Sequence, residues 1–133
     1  MGVIAVATHR ECELIDITAQ VNELVPKDLQ CGMCHIFCTH TTAGLTINEN
    51  ADPDVKHDLL KKLDLLIPRM EHFYQHCEGN SAAHLKSSLM GLSLTVPIRN
   101  GKLLLGTWQG IYFCEFDGPR SRRVQVNFLR AEE

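Results

Sequence analysis

The dipeptide Asn100-Gly101 constrains the fold more than any other feature of this sequence. Asn-Gly is the preferred pair for a two-residue hairpin turn, because both residues tolerate the positive φ that this turn requires. Residues 92–96 before it alternate between apolar and polar side chains, and an apolar stretch, 103–105, follows it. The same alternation returns in 124–128. The second half of the chain therefore predicts an antiparallel sheet.

Two helices are predicted between residues 52 and 91. The first has Asp52 at its N-cap and Pro53 in its first turn, and Pro68 ends it. The second begins at Asn80 or Ser81 and ends at Gly91, where a left-handed C-cap is expected. The predicted buried stripes are Val55, Leu59, Leu63 and Leu66 in the first helix and Ala82, Leu85 and Leu89 in the second. The opposite side of the first helix, with His57, Lys61, Lys62 and Asp64, is predicted to face solvent.

The remaining strands are predicted at 3–8, 13–18, 32–38, 45–48 and 108–116, with a short helical stretch at 19–24. At 133 residues and 15.0 kDa, one domain spanning residues 1–133 is expected. The fold class is α+β, with a mostly antiparallel sheet or sandwich and two main helices.

Composition excludes several classes of function. The net charge of -3 argues against a nucleic-acid-binding protein, and no apolar run is long enough to span a membrane. The chain start lacks the basic region of a signal peptide, so a cytoplasmic protein with six free cysteines is expected. Cys31 and Cys34 have the spacing of a zinc site, but Cys34 and Cys38 alternate along a strand and are interpreted as buried core residues.

The segment from His76 to His84 is the first candidate site. The two histidines flank a turn, Glu78-Gly79-Asn80-Ser81, and His84 falls in the first turn of a helix. The positive end of the helix disfavours the charged imidazolium, and neutral imidazole is the form that binds a metal or accepts a proton. A surface loop with two incidental histidines remains the alternative.

Three further clusters carry candidate chemistry. Residues 39–42 place His40 between hydroxyls, with Thr41 and Thr42 suited to an anion, although a Thr-rich turn has the same pattern. Glu49 precedes the first helix and is not needed for its cap, so it is a candidate acid/base. Residues 120–123 present arginines in a turn, and Arg120 is suited to a bidentate phosphate or carboxylate contact. A solvated basic turn is the alternative there.

Several motifs in this order resemble one family. They are residues 40–49 (HTTAGLTINE), 74–76 (YQH) with Gly79-Asn80 and His84, 91–97 (GLSLTVP), 106–109 (GTWQ) and 115–120 (EFDGPR). The chain resembles the YjbQ family, also called the secondary thiamine-phosphate synthase family, from about residue 10 to 128. The resemblance implies a homotrimer of compact α+β subunits with a polar site near the subunit boundaries.

The resemblance also implies a metal-associated cluster of His40, His76 and His84. Zinc is the expected metal for such a set, with magnesium as the alternative if the substrate is a diphosphate. Thr41, Thr42, Asn80 and Arg120 would bind a phosphorylated substrate. Glu49 would act as acid/base, and Gln109 would orient the substrate or a ligand.

Three functions are compatible with these residues. The first is a metal-associated enzyme acting on a small phosphorylated metabolite, with the family's weak thiamine-phosphate synthase activity, a transferase reaction, as a side activity. The second is a non-catalytic trimeric protein that binds the metal and the metabolite. The third is a metal-dependent hydrolase. No nucleic-acid or membrane partner is expected.

Overall fold

A computed structural model describes residues 2–132. They form eight strands and three helices: β1 Gly2–Ala7, β2 Glu13–Asp16, α1 Thr18–Leu24, β3 Cys31–Cys38, β4 Ala43–Glu49, α2 Pro53–Leu66, α3 Ser81–Met90, β5 Ser93–Arg99, β6 Lys102–Leu103, β7 Gln109–Glu115 and β8 Ser121–Arg130. The α+β class and the two main helices are confirmed, and the short helical stretch is present as α1.

The strands form two antiparallel sheets. The first has the order β1-β8-β3-β5-β6 and the second the order β2-β7-β4. Asn100 and Gly101 join β5 to β6 with φ values of 54° and 76°, as a two-residue type I′ turn requires. The predicted hairpin is therefore confirmed, although β6 is only two residues long.

Two apolar cores hold three layers together. The inner faces of the two sheets pack against each other through residues such as Ile36, Val96, Val124 and Phe113, which are all buried. The other face of the three-stranded sheet packs against α2 and α3. The order of layers is therefore five-stranded sheet, three-stranded sheet and helices.

The buried faces of the two helices differ from the prediction. Leu85 and Leu89 are 46% and 61% exposed, and Leu66 is 60% exposed. Helix α3 instead buries Ala82, Ala83, Lys86 and Ser87. Small side chains let the helix approach β4 closely, and the Ser87 hydroxyl donates a hydrogen bond to the Ala43 carbonyl at 2.6 Å. Apolar spacing alone had pointed to the wrong side of the helix.

Asp64 is exposed, as predicted, but it also makes a contact that the sequence did not reveal. Its Oδ1 accepts a hydrogen bond from Lys86 Nζ at 2.5 Å, and the Lys86 side chain is only 5% exposed. Lys86 Nζ also lies 3.8 Å from the Cys12 sulfur and 6.0 Å from the centre of the Phe116 ring. The pair thus joins α2 to α3 above the second core.

The cysteines follow the prediction. All six are free, and Cys34 and Cys38 are fully buried on the inner face of β3. Cys31 and Cys34 lie three positions apart on a strand, so their side chains point to opposite faces and do not form a shared zinc site. Within residues 2–132, no helix is both long enough and apolar enough to cross a membrane.

Candidate functional site

One open cleft of about 450 Å³ collects most of the residues singled out in the sequence. It lies at the edge where β3 and β7 end, where β4 and β8 begin, and where α3 starts. Seven of the nine candidate site residues line it: His40, Thr41, Thr42, His76, Asn80, His84 and Arg120. Glu78, Asp117 and Arg122 line it as well.

The floor of the cleft is an ion pair between Arg122 and Glu115. Both side chains face the space between the sheets, and Arg122 Nε donates to Glu115 Oε1 at 2.8 Å. The Thr8 hydroxyl donates to the same oxygen at 2.8 Å. Burial alone would raise the pKa of Glu115, but hydrogen bonds from Arg122, the Asp117 amide and Thr8 outweigh it and hold that pKa below its usual value. Glu115 therefore stays ionised.

Arg122 reaches from this floor into the cleft. Its Nη2 donates to the Thr42 hydroxyl at 2.9 Å and to Glu115, and its Nε is bonded to Glu115. Its Nη1 makes no hydrogen bond to residues 2–132, and Arg122 lines the cleft. A guanidinium held rigidly on one side thus retains donors for a ligand on the other.

A second arginine stands at the rim. Arg120 Nε donates to the Asp117 carbonyl at 2.8 Å, and its Nη2 donates to Asp117 Oδ2 at 2.9 Å. The same carboxylate oxygen accepts from Asn80 Nδ2 at 2.9 Å. Burial would raise the pKa of Asp117, but the hydrogen bonds from Asn80 and Arg120 lower it overall. The two loops that supply Asn80 and Arg120 are therefore tied together through one ionised carboxylate.

Asn80 carries a free acceptor at this point. With its Nδ2 on Asp117, its Oδ1 is buried and has no hydrogen-bond partner among residues 2–132. The predicted N-cap position is confirmed, but the side chain does not cap the helix, because it is bonded to Asp117 instead. A buried amide oxygen without a donor is costly, and a bound molecule or cation would satisfy it.

His40 is held in one tautomer. The Arg123 backbone amide donates to His40 Nε2 at 3.0 Å, so in the neutral ring the proton lies on Nδ1. Burial, and then the nearby Arg122 charge, lower the pKa of His40 below its usual value. The ring is therefore a neutral hydrogen-bond donor rather than a cation.

His76 and His84 form a pair on the opposite wall. Their ring centres lie 5.3 Å apart with the ring planes at 85°. His84 is in the first turn of α3, as predicted, and the loop ending at Gly79 folds His76 back towards it. Both rings line the cleft, so His76 and His84 lie together within a single chain.

The three histidines do not form a ready metal site in this arrangement. Within residues 2–132, no three His, Cys, Asp or Glu side chains are grouped as a metal would need. His40 lines the same cleft, but its Nε2 lone pair accepts the Arg123 amide and its Nδ1 is protonated, so neither nitrogen is free to ligate. His76 and His84 remain the candidate ligands, and metal binding stays a prediction.

Glu49 and Gln109 lie elsewhere in the chain. They pair with each other at the ends of β4 and β7 that point away from the cleft. Glu49 is six residues along β4 from Ala43, which borders the cleft, and this corresponds to a distance of about 20 Å. The side-chain Oε1 of Gln109 accepts from the Gly106 amide at 2.8 Å and thereby closes a turn. Neither residue lines the cleft.

Sequence reasoning missed the residues under the cleft. In the sequence, Arg122 was interpreted as one arginine of a basic turn, and Glu115 was noted only as the first residue of the motif at 115–120. The signal was present: Arg122 has the same inward position along β8 as Val124 and Val126, so its charge must be buried. A buried arginine needs a carboxylate partner, and Glu115 ends the neighbouring buried strand.

These features define a small α+β protein with a preformed polar cleft, a class in which function depends on the ligand that the cleft accepts. A family model described as "UPF0047 protein YjbQ-like" matches residues 2–131. The chain belongs to the YjbQ/UPF0047 family, which confirms the resemblance seen in the sequence.

Relatives cover nearly the whole chain. The chain is 50% identical over 127 residues to the UPF0047 protein YugU of Bacillus subtilis. The alignment covers 95% of this chain and 96% of YugU. A crystal structure of an uncharacterized YjbQ/UPF0047 protein from Clostridium acetobutylicum superposes with a TM-score of 0.94 at 52% identity, covering 97% and 100% of the two chains. The crystal structure of a conserved hypothetical protein from Thermus thermophilus superposes with a TM-score of 0.91 at 43% identity, and the match covers 97% of this chain and 100% of that one. These names assign no activity.

Proposed function

We propose that the protein binds a small phosphorylated metabolite in this cleft and acts on it as an enzyme. The observation that carries the proposal is Arg122, a cleft-lining residue whose guanidinium is held by Glu115 and Thr42 while its Nη1 makes no hydrogen bond to residues 2–132. Arginine forks match the oxygens of a phosphate, and a preorganised fork loses little entropy on binding.

The other donors surround that position. Arg120 stands at the rim, the Thr41 and Thr42 side chains line the wall, and His40 offers a proton on Nδ1. Several convergent donors can replace the water that a phosphate group loses on entry. Convergent donors of this kind, here from the loops of residues 39–42 and 116–120, are what a phosphate site requires.

Formal charge limits the affinity. Arg122 is balanced by Glu115 and Arg120 by Asp117, and Glu78 adds one negative charge, so the cleft holds no surplus positive charge. A dianionic phosphate therefore needs one more cation. His76 and His84 can supply it as ligands of a divalent metal.

The proposed catalytic role also belongs to this histidine pair. Two imidazoles next to a bound phosphate ester can hold and move a proton, as general acid/base catalysis requires. The alternative is metal-assisted hydrolysis, with zinc as the predicted metal. The observation that favours the metal is the unpartnered Oδ1 of Asn80, an oxygen that a cation could satisfy.

Thiamine-phosphate synthase activity is a narrower proposal that rests on the family. In that reaction a diphosphate leaves a pyrimidine methylene as a thiazole phosphate nitrogen attacks. Such chemistry commonly uses magnesium held by carboxylates, but Asp117 is already bonded to Arg120 and Asn80. We therefore propose the synthase as a side activity at most.

Titration calorimetry with inorganic phosphate tests the binding proposal. Arg120→Gln should weaken phosphate binding by about tenfold, since it removes one charge-assisted contact. Arg130→Gln is the matched control, because Arg130 forms an exposed pair with Asp28 at the far end of β8. Equal affinities in both variants, or no binding in the wild type, would contradict the proposal.

Two further measurements separate the functional classes. Release of phosphate from aryl phosphates, abolished by His84→Gln, would show an enzyme, whereas binding without turnover would show a binding protein. Zinc content of protein purified without a histidine tag, compared between wild type and His84→Ala, tests the metal. His57→Ala is the control, because His57 lies exposed on α2.

A further inference from the structure

We propose that the protein has a second ligand site, which binds a compact polyanion of the tricarboxylate or triphosphate kind. The site is a cavity of about 740 Å³ between α2 and residues 9–14, which join β1 to β2 and begin β2. Cavities of this size commonly bind small molecules. The cavity shares no lining residue with the cleft described above, so the inference does not depend on the proposed function.

Two elements of the fold converge on this cavity. Arg10, from the segment between β1 and β2, lines one wall. Lys56, His57 and Lys61 line the other wall, together with positions 53, 60 and 64 of the same helix. These positions recur at helical spacing, so one whole face of α2 borders the cavity. His57 and Lys61 are exposed, as predicted, but the surface that they belong to is concave.

The cations in this cavity have no acidic partners of their own. None of Arg10, Lys56 and Lys61 forms an ion pair within residues 2–132. Lys56 is half-buried, and its Nζ lies 6.0 Å from the centre of the Tyr112 ring. The charged groups on both walls are therefore available to a ligand.

The two carboxylates that line the cavity are already engaged. Glu13 Oε1 accepts a hydrogen bond from the His9 backbone amide at 2.5 Å, and Asp64 Oδ1 accepts one from Lys86 Nζ at 2.5 Å. Because Lys86 balances Asp64, the three lining cations face only one uncompensated carboxylate. In a chain with a net charge of -3, such a local surplus of positive charge attracts anions.

Internal contacts fix the shape of the cavity. The Gly118 amide donates to the Glu11 carbonyl at 3.0 Å, which ties the wall of residues 9–12 to the loop after β7. Leu14 and Leu60 line the cavity and pack in the second core. A ligand would therefore meet walls that are already in place, which lowers the entropy cost of binding.

The placement of the charges determines the class of ligand. A monoanion would contact only part of a cationic set that is divided between two walls, whereas a ligand with several anionic groups can contact both. A neutral ligand would displace the water around these charges without replacing it. Arginine and lysine bind carboxylates and phosphates alike, so a compact polyanion is the chemistry that matches the lining.

Titration calorimetry of the full chain at constant ionic strength tests the site, with citrate and triphosphate as separate probes. At least one probe should bind, and the tighter one shows whether carboxylates or phosphates are preferred. Arg10→Gln and Lys61→Gln should each weaken that probe about fivefold, since each removes one partly exposed charge contact. Lys62→Gln is the matched control, because Lys62 is the neighbouring exposed lysine of α2 and does not line the cavity.

A second measurement locates the bound probe. It should protect Lys61, but not Lys62, from acetylation, as measured by peptide mass spectrometry, and Arg120→Gln in the cleft should leave this protection unchanged. Failure of both probes to bind would overturn the inference. Equal losses of affinity in Lys61→Gln and Lys62→Gln would also overturn it, because they would show unspecific attraction to α2. Loss of the protection in Arg120→Gln would place the polyanion in the cleft, which refutes the second site and leaves the phosphate site standing.

Discussion

Arg122 Nε lies 2.8 Å from Glu115 Oε1, and the two side chains close the end of the inter-sheet core directly beneath the cleft. One pair therefore serves two regions of the molecule. It completes the core between the sheets, and it fixes the guanidinium that we propose contacts phosphate. The substitutions below separate these roles from those of exposed charges.

Removing the carboxylate should strongly destabilise the fold. Glu115→Ala leaves the Arg122 charge buried without its partner, which costs about 3–5 kcal/mol for buried pairs in general. Urea denaturation measures the free energy of unfolding. Asp28→Ala, which breaks the exposed pair with Arg130, should cost no more than about 1 kcal/mol. If both variants lose the same stability, the Glu115–Arg122 pair does not have the role assigned to it.

Stability should fall as the pH is lowered. Glu115 and Asp117 have folded-state pKa values below their usual ones, so their contribution is complete above the unfolded pKa and is lost as pH falls through the folded pKa. Burial, and then the Arg122 charge, lower the folded-state pKa of His40. Stability should therefore also fall as the pH drops below about 6.5, the pKa of an unfolded histidine, which is a higher range than that of the carboxylates. Melting temperatures recorded from pH 8 to pH 3 should decline in these two ranges.

His40→Gln separates the two ranges. The variant should lose the pH dependence that begins near 6.5 and keep the acid loss due to the carboxylates. An unchanged profile near pH 6 in this variant would count against a neutral, partly buried His40.

Lys86 and Asp64 should respond unequally to substitution. Lys86→Met leaves Asp64, 59% exposed, to be solvated by water, so the free energy of unfolding should change by less than about 1 kcal/mol. Asp64→Ala leaves a buried ammonium without its partner and should cost more, about 1–3 kcal/mol. Chemical denaturation of the two variants measures the difference. A larger loss for Lys86→Met than for Asp64→Ala would contradict the burial of this lysine.

The six thiols should differ in reactivity. Cys77 is exposed and should be alkylated first under native conditions. Burial raises the pKa of Cys34 to about 11 and also raises the pKa values of Cys38 and Cys114, so these three should react only after denaturation. Mass spectrometry of iodoacetamide-treated protein, with and without denaturant but without reductant, counts the modified sites. A disulfide between Cys31 and Cys34 would contradict the arrangement of β3.

Self-association is the last prediction. The outer face of the five-stranded sheet exposes four large apolar side chains, Val3, Met33, Phe37 and Leu129. A homotrimer, as the family resemblance implies, would cover such a face. Sedimentation should give a mass three times 15.0 kDa, and Met33→Lys should reduce it, whereas Lys62→Met on α2 should not. A monomer at micromolar concentration would remove the prediction.

The strands and turns were the most predictable part of the fold. Alternation assigned the inner faces of β3, β5 and β8 correctly, and the Asn100-Gly101 turn was found from two residues. Helical spacing gave the position of α3 but not its buried side. Leu85 and Leu89 are four residues apart on one face, and Ala82 and Lys86 are four residues apart on another, so spacing alone does not decide which face is buried. Periodicity describes spacing, while the choice of face depends on how closely the neighbouring strand approaches.

The candidate site was predicted only where local motifs are informative. Seven residues meet in one cleft because the loops that carry them lie at the same edge of the two sheets. Glu49 looked equally suitable, but its strand carries it away from that edge. Which end of a strand lies at the cleft depends on the topology of the sheets, and no local motif reveals that topology.

The segment between α2 and α3 differs in kind from the rest of the cleft wall. The loops of residues 39–42 and 116–120 are each held at both ends by strands. Residues 67–80 instead connect two helices and contain neither helix nor strand. His76 belongs to this segment. Substitutions in this segment can therefore alter the wall of the cleft that carries His76 while the Arg122–Glu115 pair stays fixed in the sheets.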